Sequence, residues 1–107
     1  MKARFIETPN FKKSVEQFGG DDWLRAVQLE LLTDVYRGSV IKSSGGFRKL
    51  RARVTGGKRG GARVIYLNVP TKQAIYLVLA YPKSAQDTLS PEALKQLRRL
   101  ANRIKGE

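Results

Sequence analysis

Hydrophobic residues recur along the first third of the chain with two different spacings. Residues 2–6 alternate weakly between polar and apolar side chains, a pattern that predicts a short strand. After Thr8, which is followed by a proline as at many helix starts, apolar residues recur every three or four positions as far as Gly19. The same spacing then predicts a second helix, capped by Asp21 and ended by Gly38. The pattern therefore predicts a strand followed by two antiparallel helices joined by a short turn.

The spacing changes to a period of two after a Ser/Gly-rich loop at residues 39–46. Strands are predicted over residues 47–54, 62–69 and 74–81, and the last of them is apolar on both faces, which places it at the centre of the sheet. Helical spacing returns after Ser90, which again precedes a proline. This order of elements predicts a compact α+β fold, an antiparallel sheet with an N-terminal helical hairpin and a C-terminal helix.

Length and composition exclude several classes of protein. A chain of 107 residues with 41% hydrophobic residues fits one globular domain over residues 1–107. It contains no Cys and no His, which excludes disulfides, thiol nucleophiles, Ser-His triads and ordinary zinc sites. No apolar run reaches the roughly 20 residues of a membrane span, and the first residues lack the apolar core of a signal peptide. A soluble cytoplasmic protein is expected.

The net charge of +12 is distributed unevenly along the chain. Residues 1–34 have a net charge of −1 and residues 87–107 a net charge of +2. Residues 35–86 contain eleven basic residues and no acidic one. A run of charge is often only a solvated face, but eleven uncompensated cations repel one another unless an anion binds between them. The segment therefore predicts a polyanionic partner, and phosphate is the most common biological anion of that kind.

Three of these cations lie on one face of a predicted strand. Lys49, Arg51 and Arg53 are two residues apart, which separates their side chains by about 7 Å. A solvated edge strand can show the same pattern, because cations at a sheet edge oppose aggregation. Cations that bind phosphate and aromatic rings that stack on bases together bind single-stranded RNA. Further candidates on the neighbouring strands and loop are Arg48, Lys58, Arg59, Arg63, Tyr81 and Lys83.

Two other kinds of site are rejected on their residue spacing. The Gly-rich stretch at residues 55–61 is not a phosphate-binding P-loop, because Lys58 is followed by Arg59 and the stretch joins two predicted strands. A two-metal phosphoryl-transfer site needs carboxylates near the cations, and no acidic residue occurs between Asp34 and Asp87. No metal or cofactor is therefore expected.

The cations and the tyrosine are also compatible with RNA cleavage. RNA carries its own nucleophile, the 2′-hydroxyl, so cleavage requires proton transfer and stabilisation of a doubly charged phosphate. Lysine and tyrosine can transfer protons, and arginine stays charged and holds phosphate. Composition alone does not distinguish this chemistry from RNA binding without cleavage.

Residues 57–66 form a distinctive run, Gly-Lys-Arg-Gly-Gly-x-Arg-aliphatic-aliphatic-Tyr. In this run, and in several other segments, the chain resembles the RelE superfamily of bacterial type II toxins, and in particular its HigB-like branch. The resemblance implies a compact α+β toxin that enters the A site of the 70S ribosome and cleaves mRNA there without a metal. It also implies a cognate antitoxin, usually a helix-turn-helix protein that binds DNA. The other segments that carry the resemblance are residues 45–51, 80–83 and 87–90.

The resemblance also implies roles for individual residues. The basic strand motif of the family falls on Lys49, Arg51 and Arg53, and the arginine that holds the scissile phosphate falls on Arg63. The basic residue after the last strand falls on Lys83. Either lysine would then transfer protons, and the three arginines would hold the phosphate.

This chain departs from the family pattern at the proton-transfer groups. RelE itself carries two lysines where this chain has Lys49 and Arg51, and residues 86–89 lack the tyrosine that some members place there. Tyr81 is a candidate for base stacking or proton donation, and packing at the strand end is the equal alternative. The identities of the general base and acid stay open.

Two alternative functions are considered beside the ribosome-dependent nuclease. One is a non-catalytic toxin of the ParE-like branch that poisons gyrase, which does not need so dense a row of cations. The other is an RNA-binding protein without activity, whose affinity would fall smoothly with each lost cation. An acidic or partly disordered antitoxin would be attracted by the basic segment and would dock on apolar helix edges. Trp23 is one such candidate, although a core position is the favoured interpretation of it.

Overall fold

The computed structural model describes residues 3–52, 61–85 and 89–106. In this part of the chain the elements follow the predicted order, with one short additional strand, and the predicted α+β fold class is confirmed. A single 3-10 turn at Pro70–Lys72 joins the last two strands. The helices and strands are β1 (Arg4–Glu7), α1 (Pro9–Phe18), α2 (Gly20–Thr33), β2 (Ser39–Val40), β3 (Arg48–Ala52), β4 (Ala62–Val69), β5 (Ala74–Pro82) and α3 (Pro91–Gly106).

The five strands form one sheet in the order β1-β5-β4-β3-β2. The pairs β2–β3, β3–β4 and β4–β5 are antiparallel, as predicted, but β1 runs parallel to β5, with Arg4 opposite Ala74. The predicted antiparallel sheet is confirmed for the other three pairs and has one parallel pair at this edge, because the side-chain pattern of a strand does not encode the direction in which it pairs. The strand at residues 74–81 was expected at the centre, whereas β4 is the central strand. β5 has a neighbour on each side, which explains its apolar faces.

The two N-terminal helices differ from the prediction at their junction and at their end. Thr8 caps α1, since its Oγ1 accepts a hydrogen bond from the N–H of Phe11 at 3.2 Å and donates one to the carbonyl of Val78 at 2.8 Å. Gly19 has φ +134° and serves both as the C-cap of α1 and as the N-cap of α2, so Asp21 lies within the helix rather than capping it. Helix α2 ends at Thr33, before the predicted stop at Gly38.

The sheet is covered on both faces, so the structure has two hydrophobic cores. One core lies between the sheet and the α1–α2 hairpin, and the other lies between the sheet and α3. Trp23 is fully buried in the first core, with its ring centroid 5.9 Å from that of Phe11 and 5.3 Å from that of Phe18. Trp23 is thus a core residue, and the alternative of an exposed docking edge at this position was wrong.

The predicted Ser/Gly-rich loop contains β2 and a tight turn that packs against α3. Gly45 has φ +87°, and a Cβ on it would lie 2.8 Å from the Cβ of Ala101, so only glycine fits between loop and helix. Two cations of α3 hold the turn, since Arg98 donates to the carbonyl of Ser43 at 2.7 Å and Lys105 to that of Gly45 at 2.8 Å. This packing anchors β2 beside β3. No helix in the described ranges is long and apolar enough to cross a membrane.

Candidate RNA-binding and catalytic site

Three of the predicted site residues form a row across neighbouring strands. Arg51 of β3 lies directly opposite Arg63 of β4, and Arg63 lies directly opposite Tyr81 of β5. Residues directly opposite each other in an antiparallel pair have Cβ atoms about 4.5–5.5 Å apart and point to the same face of the sheet. We call Arg51, Arg63 and Tyr81 the transverse row. Two guanidinium groups and a phenol therefore project side by side from the face that carries α3.

A β-bulge in β5 places Tyr81 in the transverse row. Ile65 of β4 lies opposite Leu79, but the next residue of β4, Tyr66, lies opposite Leu77, so Val78 is an extra residue without a partner in β4. One extra residue reverses the face to which all later residues of the strand point. With regular pairing from Leu77 onward, Tyr81 would point toward α1 and α2, away from the two arginines.

The three members of the transverse row differ in exposure. Arg63 is only 7% exposed, whereas Arg51 is exposed and Tyr81 is half-buried against the core under α3. A guanidinium remains protonated even when it is buried, and its field is screened less there than in water. Arg63 is thus a fixed positive charge at the base of the row, and Arg51 is its solvent-facing neighbour.

Lys49 lies beside the transverse row and lines a groove. It is two residues before Arg51 on the same face of β3, which separates the two side chains by about 7 Å. The groove has a volume of about 380 Å³ and runs between the sheet edge and the beginning of α3. We call it the edge groove, and its lining residues are Ser39, Val40, Ile41, Lys42, Lys49, Arg51, Leu89 and Leu94. Lys42 lines the groove although it is not among the site residues that the sequence predicted. Its position in the basic segment at residues 35–86, which has no acidic residue, was a signal for anion binding. The pairing of β2 with β3, which brings Lys42 to the groove, could not be predicted from the sequence.

The remaining predicted residues are distributed around this site. Lys83 is exposed one residue beyond β5, and its N–H donates to the carbonyl of Gly61 at 3.2 Å, which places it near the Tyr81 end of the transverse row. Arg53, Lys58 and Arg59 lie outside the described residues.

The structure does not bring Arg48 together with the other cations. Because it alternates with Lys49, its side chain points to the opposite face of β3. Its guanidinium donates to the carbonyl of Gly38 at 2.7 Å and to that of Tyr36 at 3.3 Å, and it lies 5.0 Å from the centre of the Tyr36 ring. In this position Arg48 holds the segment that leads from α2 into β2.

Tyr66, the tyrosine of the motif at residues 57–66, holds the backbone segment that passes behind Lys49. Its hydroxyl donates to the carbonyl of Val35 at 2.7 Å and accepts from the N–H of Gly38 at 3.0 Å. A Cβ on Gly38 would lie 2.8 Å from the Tyr66 hydroxyl and 2.9 Å from the carbonyl of Lys49, so the chain passes behind Lys49 only because residue 38 is glycine. Burial raises the pKa of the Tyr66 phenol above its usual 10.0, although the bond from Gly38 opposes the shift.

The described residues contain no cluster of three or more acidic side chains that could hold a metal ion. The transverse row, Lys49 and the leucines of the edge groove offer cations, a phenol and apolar surface. This set can bind phosphate, stack on or pack against a base, and move a proton through lysine or tyrosine.

No family model matches this chain. Among solved structures, the chain is similar to one in the crystal structure of the archaeal RelE–RelB complex from Pyrococcus horikoshii OT3. The TM-score is 0.50, the sequences are 15% identical, and the match covers 80% of this chain and 100% of the archaeal one. The chain therefore has a RelE-like α+β fold, as the sequence predicted. At this identity the likeness is one of fold.

Proposed function

We propose that this protein is the toxin of a toxin–antitoxin module, an endoribonuclease that cleaves mRNA in the ribosomal A site. The observation that carries the proposal is the transverse row, Arg51, Arg63 and Tyr81, with Lys49 beside it on the α3 face of a RelE-like sheet. Four side chains suited to phosphate binding and proton transfer thus meet on one face. The resemblance of residues 57–66 to the HigB-like branch supports the more specific proposal that the toxin cleaves mRNA in the ribosomal A site.

The proposed reaction uses the substrate's own nucleophile. The 2′-hydroxyl of one ribose attacks the adjacent phosphorus and loses its proton to a base, while the 5′-oxygen of the next nucleotide leaves and takes up a proton. The products are a 2′,3′-cyclic phosphate and a 5′-hydroxyl. Arg51 and Arg63 stabilise the doubly charged phosphate of the transition state, a role worth about 10²–10³ in rate for one well-placed donor. Lys49, Lys83 and Tyr81 are the candidates for proton transfer.

The ribosome supplies part of the substrate's orientation in this proposal. The transverse row lies on a strand surface, where Arg51 is exposed, and it does not by itself enclose an RNA strand. A substrate that is already extended and held by the 70S ribosome loses less conformational freedom on binding than free RNA does. Cleavage is therefore expected on translated mRNA and not on the same RNA in solution.

A cognate antitoxin is the second proposed partner. The archaeal structure of the same fold is described as a RelE–RelB complex. The eleven basic residues at positions 35–86 would attract an acidic or partly disordered protein, and binding would relieve the repulsion among them. We propose a helix-turn-helix antitoxin that binds DNA, with both proteins acting in the cytoplasm.

The test is a reconstituted translation reaction in which primer extension maps new mRNA 5′ ends. We expect new ends only when ribosomes are present, and a loss of at least about 100-fold in cleavage rate for Arg51→Ala and for Lys49→Ala. Lys12→Ala removes an exposed cation on α1, across the sheet from the transverse row, and is the matched control. Arg63→Lys keeps the buried charge but removes the planar pair of donors, so it should also lose cleavage.

Other outcomes identify the rival functions. Intact mRNA and normal translation would contradict the nuclease proposal, and inhibition of gyrase under those conditions would establish the ParE-like alternative. Ribosome-independent RNA binding that falls by a similar factor for each lost cation, with no cleavage, would indicate an RNA-binding protein without activity.

A further inference from the structure

The two walls of the edge groove have different chemistry. Lys42, Lys49 and Arg51 form a cationic wall, and none of the described residues that line the groove is acidic. The opposite side carries Leu89 and Leu94, at the entrance to and in the first turn of α3. A ligand that fills the groove therefore combines an anionic group with an apolar surface.

The sheet edge adds polar groups of the backbone to this groove. The N–H of Ile41 donates to the carbonyl of Phe47 at 2.9 Å, so these two residues form a hydrogen-bonded pair. Hydrogen-bonded and non-hydrogen-bonded pairs alternate along two antiparallel strands. The next pair, Val40 and Arg48, is therefore a non-hydrogen-bonded pair. Hence the N–H and carbonyl of Val40 point away from β3, toward the open edge that borders the groove. One donor and one acceptor lie side by side there.

The edge groove is continuous with the transverse row. Arg51 belongs to both, because it lines the groove and lies directly opposite Arg63. Because Lys42 and Arg51 line the same groove, an RNA strand with its reacting phosphate beside Arg51 can place a neighbouring nucleotide in the groove. The volume of about 380 Å³ lies at the lower end of the roughly 300–1,000 Å³ of small-molecule sites, which suits a single nucleotide.

We propose that the edge groove is a binding site for one nucleotide of the RNA, next to the phosphate held by the transverse row. Lys42 binds the phosphate of this nucleotide, and its base packs against Leu89 and Leu94 with one edge toward the backbone of Val40. The proposal rests on the proposed function for its biological substrate, but the groove's chemistry can be tested without ribosomes. It makes Lys42 and Leu94 determinants of which nucleotide flanks the cut.

The groove fits a nucleotide better than it fits the two simpler anionic ligands. Inorganic phosphate would use the cations and leave the leucine wall solvated. A peptide made only of acidic residues would pair with the cations and would likewise leave the leucines without an apolar partner. A nucleotide carries a phosphate and a flat base with a polar edge, and these three features correspond to the three parts of the groove.

The test is a titration of the full 15N-labelled chain, followed by NMR, with each of the four nucleoside 3′-monophosphates. Inorganic phosphate and a hexaglutamate peptide are titrated in parallel. We expect saturable shifts at the amides of Ile41, Lys42 and Leu94, with at least one nucleotide binding tenfold or more tightly than inorganic phosphate. Lys42→Ala should weaken nucleotide binding at least fivefold, and the control Lys12→Ala should not. Leu94→Ala should weaken nucleotide binding and leave phosphate binding unchanged.

Each other outcome overturns the inference and leaves the proposed function separately testable. Equal binding of phosphate and nucleotides with no effect of Leu94→Ala would show an anion site only. Tighter binding of the peptide would show a protein-docking site, and the absence of shifts at these amides would show no site. If translated mRNA is still cut in any of these cases, the function stands and the inference fails. If nucleotides bind in the groove but mRNA is not cleaved, the inference stands and the proposed function fails.

Discussion

Replacing Tyr66 with phenylalanine tests whether the phenol holds the segment behind Lys49. The hydroxyl makes two buried hydrogen bonds, to the carbonyl of Val35 at 2.7 Å and from the N–H of Gly38 at 3.0 Å. Tyr66→Phe keeps the fully buried ring and removes only the oxygen. The two backbone groups then lose their partner inside the protein.

The expected loss of stability follows from those two groups. A buried donor or acceptor left without a partner costs about 1–3 kcal/mol, and relaxation of residues 35–38 toward water reduces that cost. We expect the free energy of unfolding to fall by about 2–4 kcal/mol in total. That is a large share of the roughly 5–15 kcal/mol that stabilises a domain of this size.

The effect has a characteristic dependence on pH. Burial raises the pKa of Tyr66 in the folded state above 10.0, its value when unfolded. Above pH 10 the unfolded chain therefore loses this proton before the folded chain does, and the wild-type protein loses stability as the pH rises toward the folded pKa. Tyr66→Phe has no such proton. The stability difference between wild type and variant should thus be constant below pH 9 and narrow above pH 10, by at most about 1.4 kcal/mol per pH unit.

The measurement is urea-induced unfolding between pH 7 and pH 11, followed by the fluorescence of Trp23. This is the sole tryptophan and it is fully buried, so its emission reports unfolding. Tyr36→Phe, the same chemical change at a tyrosine that is 62% exposed, is the matched control and should alter stability by less than about 0.5 kcal/mol. A Tyr66→Phe cost below 0.5 kcal/mol, or a difference that stays constant through pH 11, would refute the reasoning.

Three further predictions concern the site and its supports. If the phenol of Tyr81 transfers a proton, Tyr81→Phe should lower the rate of ribosome-dependent cleavage by a factor of about 10²–10⁴. A normal cleavage rate for the folded variant would show that Tyr81 only packs at the end of its strand. Arg48→Ala should cost about 1–2 kcal/mol of stability in urea unfolding, and it should weaken RNA binding in a filter assay less than Arg51→Ala does. Gly45→Ala should cost about 1–3 kcal/mol, since it combines a φ of +87° with a 2.8 Å contact to α3; an unchanged melting temperature would contradict this.

Local patterns were sufficient for most of the elements. The start of α1 depends on Thr8 and the proline after it, and the structure shows the predicted cap. The strands at residues 62–69 and 74–81 have alternating or continuous apolar side chains because both faces of the sheet are covered. The same alternation placed Lys49 and Arg51 together on one face, away from Arg48. These features depend on residues that are close together in the chain, so they can be predicted from the local sequence pattern.

The assembly of the candidate site depended on contacts between distant residues. The extra residue Val78 turns Tyr81 toward Arg63, and β2 pairs with β3 so that Lys42 comes to border the groove. The turn before β3 requires glycine at position 45 because α3, more than fifty residues later, passes against it.

The sequence by itself thus determined the order of elements, the basic segment and the face on which its strand cations lie. Only the tertiary structure decided the direction of β1, the transverse row and the edge groove. The physical reason is the range of the interactions. Hydrophobic periodicity and caps act over one or two turns of chain, whereas a bulge, a parallel edge strand and a groove exist only when separate segments pack against one another.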